Sequence, residues 1–285
     1  MKKKNIILLG TAIILLIGGS VLGLNSYFGA GGKIPEDTFT RGLVAYWSFD
    51  EGTGNTVYDL SGNGNHGTIY GAKWVQGKFG KALSFDGVDD YVDCGDDESL
   101  NPGTGSFTIS IWVGGYTDTS SNMHTLVAKG DPLDGPSNDG YIIDLRGGKV
   151  RVSIGDGTNR AEFSYVGPSL ADGGWHHIVL VVDRNTQQMK AFIDGEWTGD
   201  TADTSAVGAI NPAENLIIGK RSQINSYYLN GTIDEVRIYN RALSEEEIRY
   251  HYNHGRPLAH WRFDEGSGTT IYDSSGHGYH GILHK

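Results

Sequence analysis

Between Gly42 and Gly255 the apolar residues arrive in short runs, and this spacing excludes most ways the chain could fold. Val44–Phe49, Ala82–Phe85, Phe107–Val113, Thr125–Ala128, Tyr141–Leu145, Val150–Ile154, His176–Val182, Met189–Ile193, Leu216–Ile218 and Ile233–Tyr239 alternate or run continuously apolar. Each is too short for a helix that must bury a stripe, and each is the length of a strand. Turn dipeptides punctuate them: Asp86-Gly87, Gly147-Gly148, Asp156-Gly157, Asp172-Gly173 and Asp194-Gly195. Glycine supplies the positive φ such turns need, and 43 of the 285 residues are glycine, roughly twice the usual ~7%. The pattern predicts an all-β, two-sheet antiparallel sandwich over 42–255, with Asp194-Gly195 as its clearest hairpin.

Helical signals concentrate in one place. Ser244 precedes Glu245–Tyr252 as an N-cap, and Glu247 stands three residues on, a capping box. Three glutamates fill the first turn, where the helix dipole favours negative charge. Gly255 and Pro257 end the segment.

Lys2, Lys3 and Lys4 precede Ile6–Leu24, nineteen residues without a charge. The segment 1–24 reads either as an uncleaved transmembrane anchor or as a cleaved signal peptide. Both readings send the body out of the cytoplasm, to the cell surface or the medium. Residues 25–41 read as a polar, Gly-rich linker. Beyond residue 24 the chain carries 20 basic and 34 acidic residues. That surface repels phosphate backbones, which argues against nucleic acid as a partner, and suits hard cations such as calcium. Cys94 is the single cysteine; it rules out an intramolecular disulfide and reads as a small buried hydrophobe.

Residues 256–285 repeat 42–71 at a constant offset of 214, with 15 of 30 positions identical. Trp47-Ser48-Phe49-Asp50-Glu51-Gly52 returns as Trp261-Arg262-Phe263-Asp264-Glu265-Gly266. Thirty residues bury too little surface to fold alone, so 256–285 reads as the opening of a second sandwich, and its residues are expected to be poorly packed.

Seven motifs in order give the body a resemblance. These are Trp47–Gly52, Asp59–Gly67, Phe85–Val92, Phe107–Trp112, Trp175–Ile178, Phe192–Gly195 and Asn230–Ser244. Together they resemble the bacterial and archaeal laminin-G-like, or concanavalin A-like lectin/glucanase, jelly-roll domains across 42–255. The resemblance implies a two-sheet jelly roll deployed outside the cell. It also implies frequent calcium binding, and recognition of glycans or of matrix and surface proteins by one face or rim. It implies further that the first and last strands lie close, with a structural calcium often joining them.

The loop Asp59–Gly67 offers oxygens at Asp59, Ser61, Asn63 and Asn65, every second position, with glycines between. Such a loop either turns several oxygens on a calcium ion or spends them on local backbone amides as Asx-turns. Position twelve is Tyr70, which excludes an EF-hand. Asp59, Asp234, Asp50, Asn63 and Asn65 are the expected calcium ligands, with Glu51 beside them. Asp86, Asp89, Asp90 and Asp93 read as a solvated acidic turn. Most tryptophans fall in strand patterns and read as core; Trp197, Tyr227 and Tyr228 are the candidates for sugar stacking. His176 and His177, adjacent on a strand, face opposite sides and cannot share a metal. Strand alternation likewise sends Asp234 and Glu235 to opposite faces. With no Glu-x-Asp-x-x-Glu string, nucleophile elbow, zinc helix or Walker loop present, the chain reads as a non-catalytic binding or adhesion module. The alternatives are a spacer repeat in a tandem surface protein and a glycan-degrading enzyme on the same fold.

Overall fold

The computed structural model describes residues 39–133, 138–253, 268–272 and 281–282. The expected N-terminal span, 1–24, lies outside them, as do most of the linker and most of 256–285. Among the described residues no helix is long and apolar enough to cross a membrane.

The chain divides into two units, one formed by Phe39–Ile248 and one by the two ends. Among the described residues the first unit holds sixteen strands. They are β1 (Leu43–Trp47), β2 (Thr56–Val57), β3 (Gly67–Tyr70), β4 (Lys73–Gln76), β5 (Lys81–Asp86), β6 (Tyr91–Asp93), β7 (Phe107–Gly114) and β8 (Met123–Gly130). There follow β9 (Asp139–Arg146), β10 (Lys149–Asp156), β11 (Arg160–Val166), β12 (His176–Asp183), β13 (Gln188–Ile193), β14 (Glu196–Asp203), β15 (Leu216–Ile218) and β16 (Asn230–Tyr239). Every pairing is antiparallel. One sheet runs β14-β13-β12-β7-β16-β5-β4, with β1 also on β16; the other runs β11-β10-β9-β8-β15-β6-β3-β2. The inner faces meet in a core that includes Trp47, Phe49, Phe85, Phe107, Ile143 and Leu180. Cys94 lies in that core as a free thiol, and burial holds its pKa well above the ordinary value. The expected hairpin is present: Asp194 and Gly195, at φ 52° and 81°, join β13 to β14.

The sandwich is closed by its longest strand. β16 pairs along one side with β7, while its other side takes β5 at residues 230–233 and β1 at residues 236–239. The first and last strands therefore touch directly. Between these two stretches the register with β7 shifts at Asp234–Arg237, and Glu235 takes a φ of 55°. Ile233 and Val236 both enter the core. This bulge corrects the expectation for Asp234 and Glu235: an extra residue breaks the period of two, and both carboxylates lie on the outer side.

The helix α1 spans Glu245–Tyr252 as expected. Ser244 Oγ accepts from Glu247 N at 3.2 Å, and Ser244 N donates to Glu247 Oε2 at 2.9 Å, the reciprocal bonds of a capping box. Leu243 and Ile248 pack with Val179, Val181, Phe192 and Tyr239 on the outer side of the first sheet. Ser244→Ala is expected to lower stability by about 1 kcal/mol, measured as a shift in the urea midpoint at unchanged slope.

In the second unit, β17 (Thr270–Ile271) and β18 (Gly281–Ile282) pair as Thr270↔Ile282 and Ile271↔Gly281. β2 and β3 pair as Thr56↔Thr68 and Val57↔Gly67. The two hairpins thus have the same register at an offset of 214.

Candidate functional site

The five expected calcium ligands fall into two groups with different surroundings. Asp59, Asn63 and Asn65 stay on their loop. Asp59 Oδ1 accepts from Tyr46 N (2.9 Å) and Ser61 N (2.8 Å), and Oδ2 from Asn65 N (3.0 Å) and Ser61 Oγ (2.8 Å). The Asn63 and Asn65 amides both donate to the carbonyl of Val44. These polar atoms tie the loop to β1 through the backbone, the Asx-turn arrangement rather than a common focus with Asp234.

Asp50 and Asp234 converge elsewhere, on the turn at residues 77–81 between β4 and β5. Lys81 N donates to Asp50 Oδ1 at 2.8 Å, and Phe79 N to Asp234 Oδ2 at 3.0 Å. Two glycines make the approach possible. A Cβ on Gly77 would lie 2.7 Å from Asp234 Oδ2, and one on Gly80 would collide with Asp50 Oδ1. Among the described residues Asp234 Oδ1 is buried without a hydrogen-bond donor, as is Glu51 Oε2. Burial raises the Asp234 carboxyl to about 7; the Phe79 amide opposes this, and the charges of Glu235 and Asp50 add to it. A buried carboxylate with an unanswered oxygen, beside a second carboxylate and a tight turn of backbone, has the donor chemistry of a hard divalent cation site. Sequence reading found Asp50 and Asp234 but missed the turn, because its part is played by backbone and by glycines whose spacing carries no ligand signature.

Asp86, Asp89 and Asp90 lie with carboxylate oxygens within 4.8 Å of one another. Asp90 Oδ2 accepts from Asp86 N, and Asp93 turns away to bond the Asn215 amide at 2.9 and 3.0 Å. The His176 ring bonds Asp172 and Asp194 and the His177 ring bonds Ser110, while the His177 N–H donates to Asp194 Oδ1 at 2.9 Å.

The aromatic candidates are also divided between sheets. Trp197 lies on β14 at the edge of the first sheet, 43% exposed, with Lys190 Nζ 5.2 Å from its ring centre. Tyr227 and Tyr228 belong to the segment 219–229 over the outer face of the second sheet. That segment is anchored by Thr125 N donating to Tyr227 O (2.8 Å) and by buried Arg221, which reaches Asp131 (2.5 Å) and Asp144 (3.0 Å). Both tyrosines are half-buried; Arg221 lies 4.9 Å over the Tyr227 ring. Trp197 and this pair therefore do not form one surface. The structure instead shows Tyr70 stacked on Tyr91, cross-strand partners with rings 4.6 Å and 12° apart, on the outer face of the second sheet. Tyr70 remains 45% exposed. Lys220 Nζ lies 4.6 Å over Tyr91 and is held by Asn225 Oδ1 at 2.8 Å. Burial lowers the Lys220 pKa, against the opposing pull of Asp93. No sequence signal pairs Tyr70 with Tyr91, since their register depends on strands too short to recognise.

Two stacked antiparallel sheets, with a carboxylate-lined turn at one closing strand and aromatic rings on an outer face, define a lectin-like jelly roll. Residues 86–249, more than half the chain, match the model of the concanavalin A-like lectin/glucanases superfamily, and the chain belongs to that family. A non-toxic nonhemagglutinin of Paraclostridium bifermentans is 26% identical over 203 residues, which cover 69% of this chain but 16% of that protein. The fold is similar to that of the binding domain of Paraclostridial Mosquitocidal Protein 1, with a TM-score of 0.62 at 21% identity, covering 77% of this chain and 56% of that one. It is also similar to the binding domain of botulinum neurotoxin DC in complex with SialylT, with a TM-score of 0.60 at 15% identity, covering 76% and 52%. The chain spans about half the length of these solved structures, and far less of the curated relative.

Proposed function

We propose that this chain is a non-catalytic carbohydrate-binding module that works outside the cytoplasm and is stiffened by one calcium ion held at Asp50 and Asp234. The observation that carries the glycan reading is the Tyr70–Tyr91 stack, whose outer ring is exposed beside hydroxyl and amide groups. An exposed aromatic ring offers an apolar face to the C–H face of a pyranose, and flanking polar atoms meet its hydroxyls. Thr68 and Asp93 stand on the same outer face, and Asn215 is fixed to Asp93. The solved binding domain in complex with SialylT supports a glycan as partner. Matrix or surface proteins bearing such glycans are the partners this reading implies. When bound, calcium supplies positive charge to two carboxylates and locks the turn at residues 77–81 to β16.

Binding to a broad glycan array is the direct test. Tyr70→Ala is expected to weaken the best hit about tenfold, or about 1.4 kcal/mol, while Trp197→Ala leaves it unchanged. An array without hits, or hits indifferent to Tyr70, would end this reading. A tandem spacer is the second reading, favoured by the shared register of the β2–β3 and β17–β18 hairpins.

A further inference from the structure

The polar loop Asp59–Gly67 has no part in the calcium site at Asp50 and Asp234, yet one of its residues, Asn63, lines a cavity of about 340 Å³. The cavity lies where β1 and β7 begin and β16 ends, beside a short 3-10 turn at Glu98–Leu100. Its volume is near the lower bound of the ~300–1,000 Å³ usual for small-molecule sites. The wall is fixed by its own bonds. Asp97 Oδ1 accepts from Ser99 N at 2.9 Å and caps the turn. Tyr141 Oη donates to Leu100 O at 3.0 Å, and Asn65 Nδ2 to Ser99 Oγ at 3.2 Å. Asn63 Nδ2 donates to Val44 O at 2.8 Å.

Buried Leu100, Phe107 and Ile238 give the cavity apolar walls, and exposed Asn63, Ser99 and Asn240 give it a polar rim. None of the described lining residues is an acid, a lysine, an arginine or a histidine. Tyr141 and Tyr239 are their titratable groups, and burial holds both hydroxyls above the ordinary pKa. The lining is therefore uncharged near neutral pH. Asn101 is the residue that points to a ligand. It lines the cavity, its Oδ1 is buried without a donor, and its carboxamide makes no hydrogen bond among the described residues. A buried amide left unpaired is costly, and hydroxyl groups entering the cavity supply the missing bonds. A carboxylate or an ammonium in the same space would shed water with no countercharge to meet it.

We propose that this cavity, walled by Asn63, Ser99, Asn101 and Asn240, is a second ligand site that takes one uncharged sugar ring. The apolar walls meet the C–H faces of the ring, and the amides and hydroxyl meet its hydroxyl groups. The absence of charge in the lining turns away uronic and sialic acids. The site goes beyond the glycan surface at Tyr70 and Tyr91, with which it shares no residue.

The test titrates the isotope-labelled full chain by NMR with the methyl glycosides of glucose, galactose and mannose, and with those of glucuronic and sialic acid. At least one neutral glycoside is expected to shift the side-chain amide signals of Asn101 and Asn63, and the acidic ones to bind there at least about tenfold more weakly. Asn101→Leu is close in size and lacks the amide. It is expected to weaken the neutral ligand about tenfold, while the urea midpoint stays or rises, because the variant loses an unpaired polar group and no hydrogen bond. Tyr70→Ala is expected to leave this binding unchanged, so the two sites fail separately. The shifts are read on the wild-type chain and decide the matter even where Asn101→Leu does not fold. No shift at Asn101 or Asn63 with any neutral glycoside, equal binding of the acidic ones, or an affinity indifferent to Asn101→Leu would overturn the proposal.

Discussion

Chelation of calcium is expected to lower the melting temperature of the full chain by roughly 5–10 °C, and Asp234→Ala is expected to remove that dependence. A ligand present at 100 times its dissociation constant stabilises the state it binds by about 2.7 kcal/mol, and about 1 kcal/mol moves the midpoint of a domain this size by about 2–4 °C. The effect is large because the metal-free site is costly. Asp234 is buried, one of its oxygens has no donor among the described residues, and Asp50 and Glu235 add like charge nearby. A divalent cation answers all three at once. Asp59→Ala is the informative control. Its carboxylate holds Tyr46 N, Ser61 N and Asn65 N, so the variant is expected to melt lower by the same amount with and without calcium. Identical melts of the wild-type chain with metal and with chelator would sink the calcium assignment. A chelator effect lost in Asp59→Ala but kept in Asp234→Ala would move the site to the loop.

Period-two runs located the long strands β7, β9, β10 and β12 within one or two residues, because each buries a full row of side chains. The capping box located α1 to the residue, because both of its bonds are local. By contrast β2, β3, β4 and β6 span two to four residues each. Strands that short hold no period, and they exist because neighbours in the sheet supply their hydrogen bonds. The candidate site inherits that difference. Asp50, three residues past the end of β1, and Asp234, on β16, stand out as carboxylates, whereas the turn that receives them offers backbone amides and the open space of Gly77 and Gly80. The bulge at Glu235 could not be read from residue types, since it is a register shift between strands far apart in sequence. Tyr227 and Tyr228 stand outside the strand patterns, which makes them candidates for an exposed pair; both are half-buried, and the buried Arg221 lies against the Tyr227 ring.

Arg221→Ala is expected to cost about 3–5 kcal/mol of stability, the usual loss when one partner of a buried ion pair is removed. The guanidinium has no solvent exposure and reaches Asp131 at 2.5 Å and Asp144 at 3.0 Å. Asp144 also takes Arg151 at 2.5 Å and the Thr125 hydroxyl at 2.7 Å. Removing Arg221 leaves a share of two buried carboxylate charges unanswered in a low-dielectric setting, which is the expensive step. Neutralising one of them should return part of the loss. Arg221→Ala with Asp144→Asn is therefore expected to fall short of the sum of the single effects by more than about 1 kcal/mol, read from urea midpoints. The consequence extends to binding, because Arg221 anchors the segment that carries Lys220 over Tyr91 and seats Tyr227 and Tyr228. Glycan affinity should fall in Arg221→Ala at temperatures where the sandwich is still folded. A loss of stability below about 1 kcal/mol, or additive single effects, would mean that the segment is held by its backbone bonds and that the buried charges are spectators.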